Sequence, residues 1–247
     1  MISILVVSKR NFRYFKKTIE SAIAQTYKDI EFLVVDDASG EGEAKSAFLS
    51  KHNIRFNIEI NATSIGPTAA RNQIFPKANG DWIAILDDDD LWHSQYLEVA
   101  VEILRGSRAW SFCLPFPQRL PKWYSVDREI PQVVHRLLYK GLGVGSGLIF
   151  SRKAIESIGL FDPAFRIVSD RDAMLRLLLA GYAPVEIVGD FITPGNGGVT
   201  HDRDLWQEEA IALLEKFFTL PGSELYRAEK ERAIEVWRQK LTPQFLS

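Results

Sequence analysis

Short apolar runs alternate with segments of helical periodicity through the first hundred positions. Residues 2–7 form an apolar run of the kind expected for a parallel strand covered on both faces. Phe12, Phe15, Ile19, Ala22 and Ile23 then recur at helical spacing, predicting an amphipathic helix that fades near Gln25-Thr26. Residues 30–35 read as a second strand, closed by the turn signal Asp36-Asp37-Ala-Ser-Gly40, and residues 54–60 as a third. A helix over 68–77 is broken by Asn79-Gly80 before a strand over 82–86, and a further helix runs through Tyr96, Val99, Ile103 and Leu104. This repeated β-α-β order predicts an α/β fold with a doubly wound, mostly parallel sheet.

The texture changes after Arg105. Pro115, Pro117, Pro121 and Pro131 interleave with Trp110, Phe112, Phe116, Trp123 and Tyr124, so regular helix is not expected there. The glycine-rich run at 141–147 leads into a strand-like 148–150. Its glycines suit a tight loop and a backbone approaching a ligand about equally, since both need missing side chains. A dinucleotide fingerprint is excluded, because no strand–glycine–helix order surrounds them. Residues 169–182 predict a helix: Ser169-x-x-Asp172 resembles a capping box, Leu175, Leu178, Leu179 and Tyr182 make a stripe, and Gly181 closes it. A charged helical segment over 205–240 is expected to pack on the body of the domain.

Composition narrows the class. With 247 residues, 46% hydrophobic and 25% charged, the chain is in the soluble globular range. A net charge of −2 gives no electrostatic case for nucleic acid as a partner. Cys113 is the single cysteine, which excludes an intrachain disulfide and a cysteine-based zinc site and fits a reducing compartment. No apolar stretch approaches twenty residues and the N-terminal run has no basic flank. A cytoplasmic location is expected, with peripheral membrane contact left open.

The candidate chemistry lies where the strand over 82–86 stops in four consecutive carboxylates, Asp87 to Asp90. Like charges repel, and burying one unpaired costs several kcal/mol. A hard divalent cation such as magnesium or manganese would supply the missing positive charge. A helix-capping role explains one acid rather than four. An EF-hand fails: Asp89 and Glu98 fit its third and twelfth positions, but Leu91 and Trp92 occupy its fifth and sixth. A haloacid-dehalogenase-like phosphatase is a remote option, since Asp90 stands where that pattern wants Thr or Val. Sugar-activating nucleotidyltransferases need a glycine-rich N-terminal loop that residues 2–11 lack.

In a parallel doubly wound sheet ligands bind beyond the carboxyl ends of the strands. Ser8-Lys9-Arg10-Asn11, Asp36-Asp37 and Asp87–Asp90 all follow strands at that edge, a rim suited to a metal and a diphosphate. Each piece alone has a plainer use. Asp36-Asp37-x-Ser fits an Asx-type turn, and Arg10 and Arg71 fit solvated surface groups.

Assembled in order, these stretches resemble a family-2 inverting glycosyltransferase of the GT-A fold. The matching residues are Leu5-Val-Val-Ser8 with Asn11, Ser21-x-x-x-Gln25-Thr-Tyr27, and Glu31-Phe-Leu-Val-Val-Asp-Asp-Ala-Ser39. Gly66-x-x-x-Ala70-Arg-Asn72, the run Gly80 to Trp92, and Gly147-Leu-Ile-Phe150 continue the series. Gly159-Leu-Phe-Asp162, Ser169-Asp-Arg-Asp172 and Arg176-Leu-Leu-Leu-Ala-Gly-Tyr182 complete it, so the resemblance covers residues 1 to about 190. It implies a GT-A fold: a Rossmann-like sheet, a smaller acceptor-side region and C-terminal helices. The expected division is 1–105 as the nucleotide-sugar half, 106–200 as the acceptor half of the same domain, and 201–247 as a C-terminal helical segment.

The resemblance further implies transfer of a sugar from a nucleotide donor, usually UDP-linked, to a hydroxyl of a glycan or lipid-linked acceptor, with Mn2+ or Mg2+ as cofactor. Asp87 and Asp89 match the metal motif, and Asp88 and Asp90 need not touch the ion. Ser8, Arg10, Asp36, Asp37, Arg71, Asp87 and Asp88 are the implied nucleotide-binding residues, Asp37 as the acid that reads the base. Arg10 departs from the aromatic residue common at that place, although arginine also stacks on bases. Asp170 resembles the catalytic base; Asp172, two positions on, points to another side of a helix and is assigned to the capping box. His201, in a glycine-flanked loop, fits a third metal ligand or an exposed loop histidine equally. The competing class is a non-catalytic sugar-nucleotide or glycan-binding module on the same fold. The aromatics between 110 and 147 stack on acceptor sugars or, more simply, fill a core.

Overall fold

Alternating side chains of β1 (Ile2–Ser8) enter two different cores, which requires cover on both faces of the sheet. Leu5 joins one cluster, whereas Ile2, Ile4 and Val6 join the other. The computed structural model describes residues 1–9, 11–105, 109–113, 124–140, 145–195 and 202–239. Among these, β1 is central in an eight-stranded sheet with β2 (Ile30–Asp37), β3 (Arg55–Asn61), β4 (Trp82–Ile85), β6 (Trp110–Cys113), β7 (Tyr124–Asp127), β8 (Leu148–Ser151) and β9 (Pro184–Val188), in the order β3-β2-β1-β4-β8-β6-β9-β7. A separate antiparallel ribbon joins β5 (Leu91–Trp92) to β10 (Ile192–Thr193).

The first half is parallel throughout: β2 and β4 both run alongside β1, and β3 alongside β2. Because the chain steps outward from β1 to β3 and then returns to β4 on the other side, the strand order reverses between β1 and β4. In open α/β sheets the ligand crevice lies at such a reversal, outside the carboxyl ends of the strands. Beyond β4 the sheet is mixed. β8 lies antiparallel to β4 and β6, and β9 parallel to β6 but antiparallel to β7.

On one face lie α1 (Phe12–Ile23), α2 (Gly42–Leu49) and α4 (Tyr96–Leu104), which supply Phe15, Ile19, Phe48, Leu49, Tyr96 and Leu97 to one core. On the other lie α3 (Pro67–Ile74), α5 (Ile130–Tyr139), α6 (Arg152–Ser157) and α7 (Ser169–Leu179), with α8 (Arg203–Phe217) and α9 (Lys230–Gln239). The last two pack as expected, burying Leu213, Leu214, Phe217, Ala233, Ile234 and Trp237 in the second core.

Two local expectations change, and one open choice is decided for two residues. The segment holding Pro131 is not irregular throughout: Pro131 sits in the first turn of α5, where a missing N–H costs nothing. Trp110 and Phe112 fill the core, with Trp110 stacked on Phe150 at 6.2 Å between centroids. The helix α2 is an addition. Its buried positions are Gly42, Lys45, Phe48 and Leu49, and a glycine and a lysine on the inner face hide the apolar period. Gly42 packs against Ile60, whose side chain would have to shift to admit a Cβ, 2.7 Å away.

Candidate active site

The acidic turn sits at the crevice. Leu86 N–H still donates to Leu5 O (3.0 Å), and the chain then leaves the sheet, turning with Asp90 N–H on Asp87 O (3.2 Å) before β5. Its carboxylates alternate. Asp88 and Asp90 are buried, whereas Asp87 and Asp89 are partly exposed. Asp88 accepts from Ser8 Oγ at 2.7 Å, and Asp90 accepts from Gly195 N–H at 2.7 Å. Asp87 is anchored through its N–H on Ser146 Oγ (2.9 Å), and its carboxylate accepts from Arg71 Nη2 at 2.7 Å. Asp89 lies against Gly195, where a Cβ would stand 2.5 Å from the carboxylate. The β5–β10 ribbon therefore fastens the acidic turn to the 190s loop, far away in sequence.

Burial pushes Asp90 up to about 6; the charges of Asp87 and Asp89 add to this, and hydrogen bonds from Ser146 and Gly195 oppose it.

The second half brings Asp170 to this rim at the start of α7. Gly145 lies between the two acids: a Cβ there would be 3.3 Å from Asp87 Oδ2 and 3.9 Å from Asp170 Oδ2. At Gly145 the backbone thus runs close against both acids. Residues 141–144 lie outside the described residues. Gly147 has the other use, packing so tightly that a Cβ would be 2.2 Å from Cys113 O. Burial raises Asp170 above the ordinary carboxylate range and Asp87 adds to it, against the Arg171 N–H and the Arg71 and Arg171 cations.

The Ser169–Asp172 capping box does not form. The N-cap is Val168, with no side-chain cap, and Ser169 is already helical. Asp172 instead takes Arg176 at 2.6 Å and Lys216 at 2.5 Å, tying α7 to α8. It thus serves the scaffold by another route. The approach to α7 is held by Glu209 of α8, which accepts from the N–H groups of Arg166 (2.8 Å), Ile167 (2.7 Å) and Val168 (3.2 Å). At the other end Gly181 and Tyr182 N–H bond back to Leu178 and Leu177 O, and Gly181 has φ 86, closing the helix as its sequence predicts.

The residues that end β1 and β2 are placed differently from a simple pocket lining. Ser8 and Asp36 have no solvent exposure. Both face Lys45, itself fully buried, whose Nζ donates to Asp36 Oδ1 (2.5 Å), Ser8 Oγ (2.8 Å) and Ser39 Oγ (2.9 Å). Ser39 N–H and Oγ also bond Asp36, an Asx-type turn. Asp37 accepts from Ser64 Oγ (2.6 Å), Ile65 N–H (2.9 Å), Gly66 N–H (3.0 Å) and Asn61 Nδ2 (3.1 Å). Burial alone would raise Asp37, but these four donors together hold it below the ordinary value. In this arrangement Ser8 and Asp36 support the rim from beneath, and Asp37 staples the 61–66 loop beside it.

Arg71 combines its bond to Asp87 with a position 6.0 Å from the Phe161 ring centroid. Arg10 and His201 lie outside the described residues. Sequence reasoning missed Lys45, Ser146 and Glu209. Only Lys45 left a signal, a cation placed one helical turn before the buried pair Phe48-Leu49. Among the described residues, no group of three or more His, Cys, Asp or Glu side chains converges to hold a metal. The donor chemistry still fits a hard cation, because magnesium sites often use one or two carboxylates together with substrate phosphates.

Sheet order, helical cover and the acidic rim define a GT-A fold, and comparison with known proteins agrees. Residues 3–154 match the model for glycosyl transferase family 2, and the chain belongs to that family. Among relatives, it is 31% identical over 104 residues to the Escherichia coli UDP-Glc:alpha-D-GlcNAc-diphosphoundecaprenol beta-1,3-glucosyltransferase WfgD, covering 42% of this chain and 41% of WfgD. Among solved structures, Staphylococcus aureus TarS 1–349 in complex with UDP-GlcNAc superposes with TM-score 0.72 at 15% identity, covering 98% of this chain and 74% of that one. The mannosyltransferase PcManGT from Pyrobaculum calidifontis, in complex with GDP-Man and Mn2+, gives 0.69 at 17% identity, covering 96% and 72%. The chain spans 17% to 58% of the length of curated relatives from Rickettsia and Nostoc that it matches. Among the described residues, no helix is long and apolar enough to cross a membrane.

Proposed function

We propose that the chain is a metal-dependent inverting glycosyltransferase that moves a sugar from a nucleotide donor, UDP-linked, to a hydroxyl of a glycan or lipid-linked acceptor. The observation that carries this reading is the meeting of Asp87, Arg71 and Asp170 around Gly145 at the strand-order reversal. The donor half is 1–105 and the acceptor half 106–200, with 201–247 as helical support.

In this reading Asp170 takes the proton of the acceptor hydroxyl as that oxygen attacks the anomeric carbon. A base needs affinity for that proton, and burial supplies it by raising Asp170. Asp87 and Asp89, the partly exposed members of the run, would hold Mn2+ or Mg2+ against the donor diphosphate, with His201 as a third ligand. That ion would stabilise charge on the departing diphosphate. Arg71 keeps Asp87 oriented and adds a cation beside the phosphates, and Arg10 stacks on the base. Base reading by Asp37 requires one of its four present donors to give way, because a carboxylate has about four acceptor sites. The donors seen with TarS and PcManGT, UDP-GlcNAc and GDP-Man, support a sugar nucleotide, and the WfgD name supports UDP.

The test is a panel of sugar nucleotides and acceptors with Mn2+ or Mg2+, reading product and its anomeric configuration. Asp170→Asn should abolish transfer while keeping donor binding, and Asp89→Ala should lose metal-dependent binding. Donor binding with no turnover over a broad acceptor panel would favour a binding module instead. Full turnover by Asp170→Asn would overturn the base assignment.

A further inference from the structure

We infer that Lys45 is a positioning residue for the acidic turn, acting through Ser8. The lysine is fully buried on α2, on the opposite side of the sheet from α7, and its ring neighbour is Phe15, 5.5 Å from Nζ to the centroid. An ammonium has three N–H donors. All three are used, on Asp36 at 2.5 Å, Ser8 at 2.8 Å and Ser39 at 2.9 Å. Ser8 accepts from Lys45, so its single O–H proton is directed onward, and it donates to Asp88 Oδ2 at 2.7 Å. A continuous line of charge-assisted bonds therefore runs from Asp36 through Lys45 and Ser8 to Asp88.

The line has a geometric consequence. Asp88 is the inward member of the acidic run, only 6% exposed, and its neighbours Asp87 and Asp89 are the partly exposed ones. Fixing Asp88 beneath the turn sets which way the flanking carboxylates face. One buried cation also serves two buried carboxylates, Asp36 directly and Asp88 across one hydroxyl, which keeps acids together at a site where unpaired charge is costly. A lysine whose task was only to close α2 onto the sheet would need Asp36 alone. The bond to Ser8 is the part that reaches the rim.

Two variants separate this role from simple scaffolding. Ser8→Ala breaks the line while leaving the Lys45–Asp36 pair. Lys45→Met with Asp36→Asn removes one charge of each sign and keeps the buried site balanced. Thermal unfolding checks that each is folded, and hydrogen exchange reads the amides of Asp87 and Asp90, which bond Ser146 Oγ and Asp87 O. Both variants should lose about tenfold in protection at those amides, with β1 and β2 unchanged. The manganese affinity should fall by about tenfold or more, as when outer partners of a ligand are removed. Wild-type protection at Asp87 and Asp90 in either folded variant would overturn the inference. The functional half rests on the metal-dependent reading: loosened amides in a protein whose wild type binds no manganese would uphold the relay and count against that reading instead.

Discussion

Removal of the Glu209 carboxylate should both destabilise the fold and displace the acid at the start of α7. Glu209 is 7% exposed and accepts three consecutive backbone N–H groups at 2.8, 2.7 and 3.2 Å. These donors immediately precede α7, so the carboxylate also sits favourably at the helix N-terminus. In Glu209→Ala, the Val168 N–H is left buried and unpaired, while the N–H groups of exposed Arg166 and half-buried Ile167 regain some water. An unsatisfied buried donor costs about 1–3 kcal/mol, and each of the other two bonds, exchanged for water, a net of about 1, so the total is about 3–5 kcal/mol. For a domain of this size that lowers Tm by about 8–15 °C. Glu209→Gln keeps one acceptor oxygen but turns an NH2 toward the remaining donors, and should lose about half as much. Urea unfolding followed by tryptophan fluorescence measures this directly. The same proteins, assayed well below their midpoints, should show transfer reduced in the order Ala below Gln below wild type. A Glu209→Ala protein within about 1 kcal/mol of wild type would refute the reasoning, since then the three bonds are replaced by water at little cost.

Asp90 makes stability depend on pH in the metal-free protein. Its folded pKa of about 6 lies above the unfolded carboxylate value, so the folded state binds the extra proton and stability falls as pH rises from about 4 to 6. The loss is at most about 3 kcal/mol, and Asp90→Asn should remove that component when the two pH–stability curves are subtracted; parallel curves would contradict it. Gly147→Ala places a Cβ 2.2 Å from the Cys113 carbonyl, a backbone atom of β6 just beyond the last β6–β8 pair, Phe112 with Leu148, so it should cost about 1–3 kcal/mol by overpacking. A neutral result in thermal unfolding would show that this strand pair can separate. Lys216→Met leaves Asp172, 2% exposed on its side chain, with Arg176 alone, and should destabilise by about 1–3 kcal/mol without changing donor affinity; calorimetry and a donor titration check the two halves of that statement.

The elements legible in the chain are those whose signal is local. β1, β2 and β4 read correctly because a strand covered on both faces must be apolar along its length, and α1 and α4 because one face of each must be. The four acids were legible for the opposite reason: nothing local stabilises them. α2, β5, β7 and β10 were not legible. α2 buries Gly42 and Lys45, and the two-residue strands β5 and β10 exist only because they pair with each other.

By itself the sequence determines a parallel α/β half, an acidic run at a strand's carboxyl end and an ordered series of motifs. Tertiary structure alone decides which acid does what. Asp88 and Asp90 turn inward because Ser8 and Gly195 wait there, and Asp172 leaves its expected capping box because Arg176 and Lys216 offer charge. Asp170 comes to the same rim as Asp87 because α7 begins there, with Gly145 packed between the two acids. Periodicity records how much of a residue is buried; which partner it meets depends on chain segments dozens of residues away, and only folding brings those together.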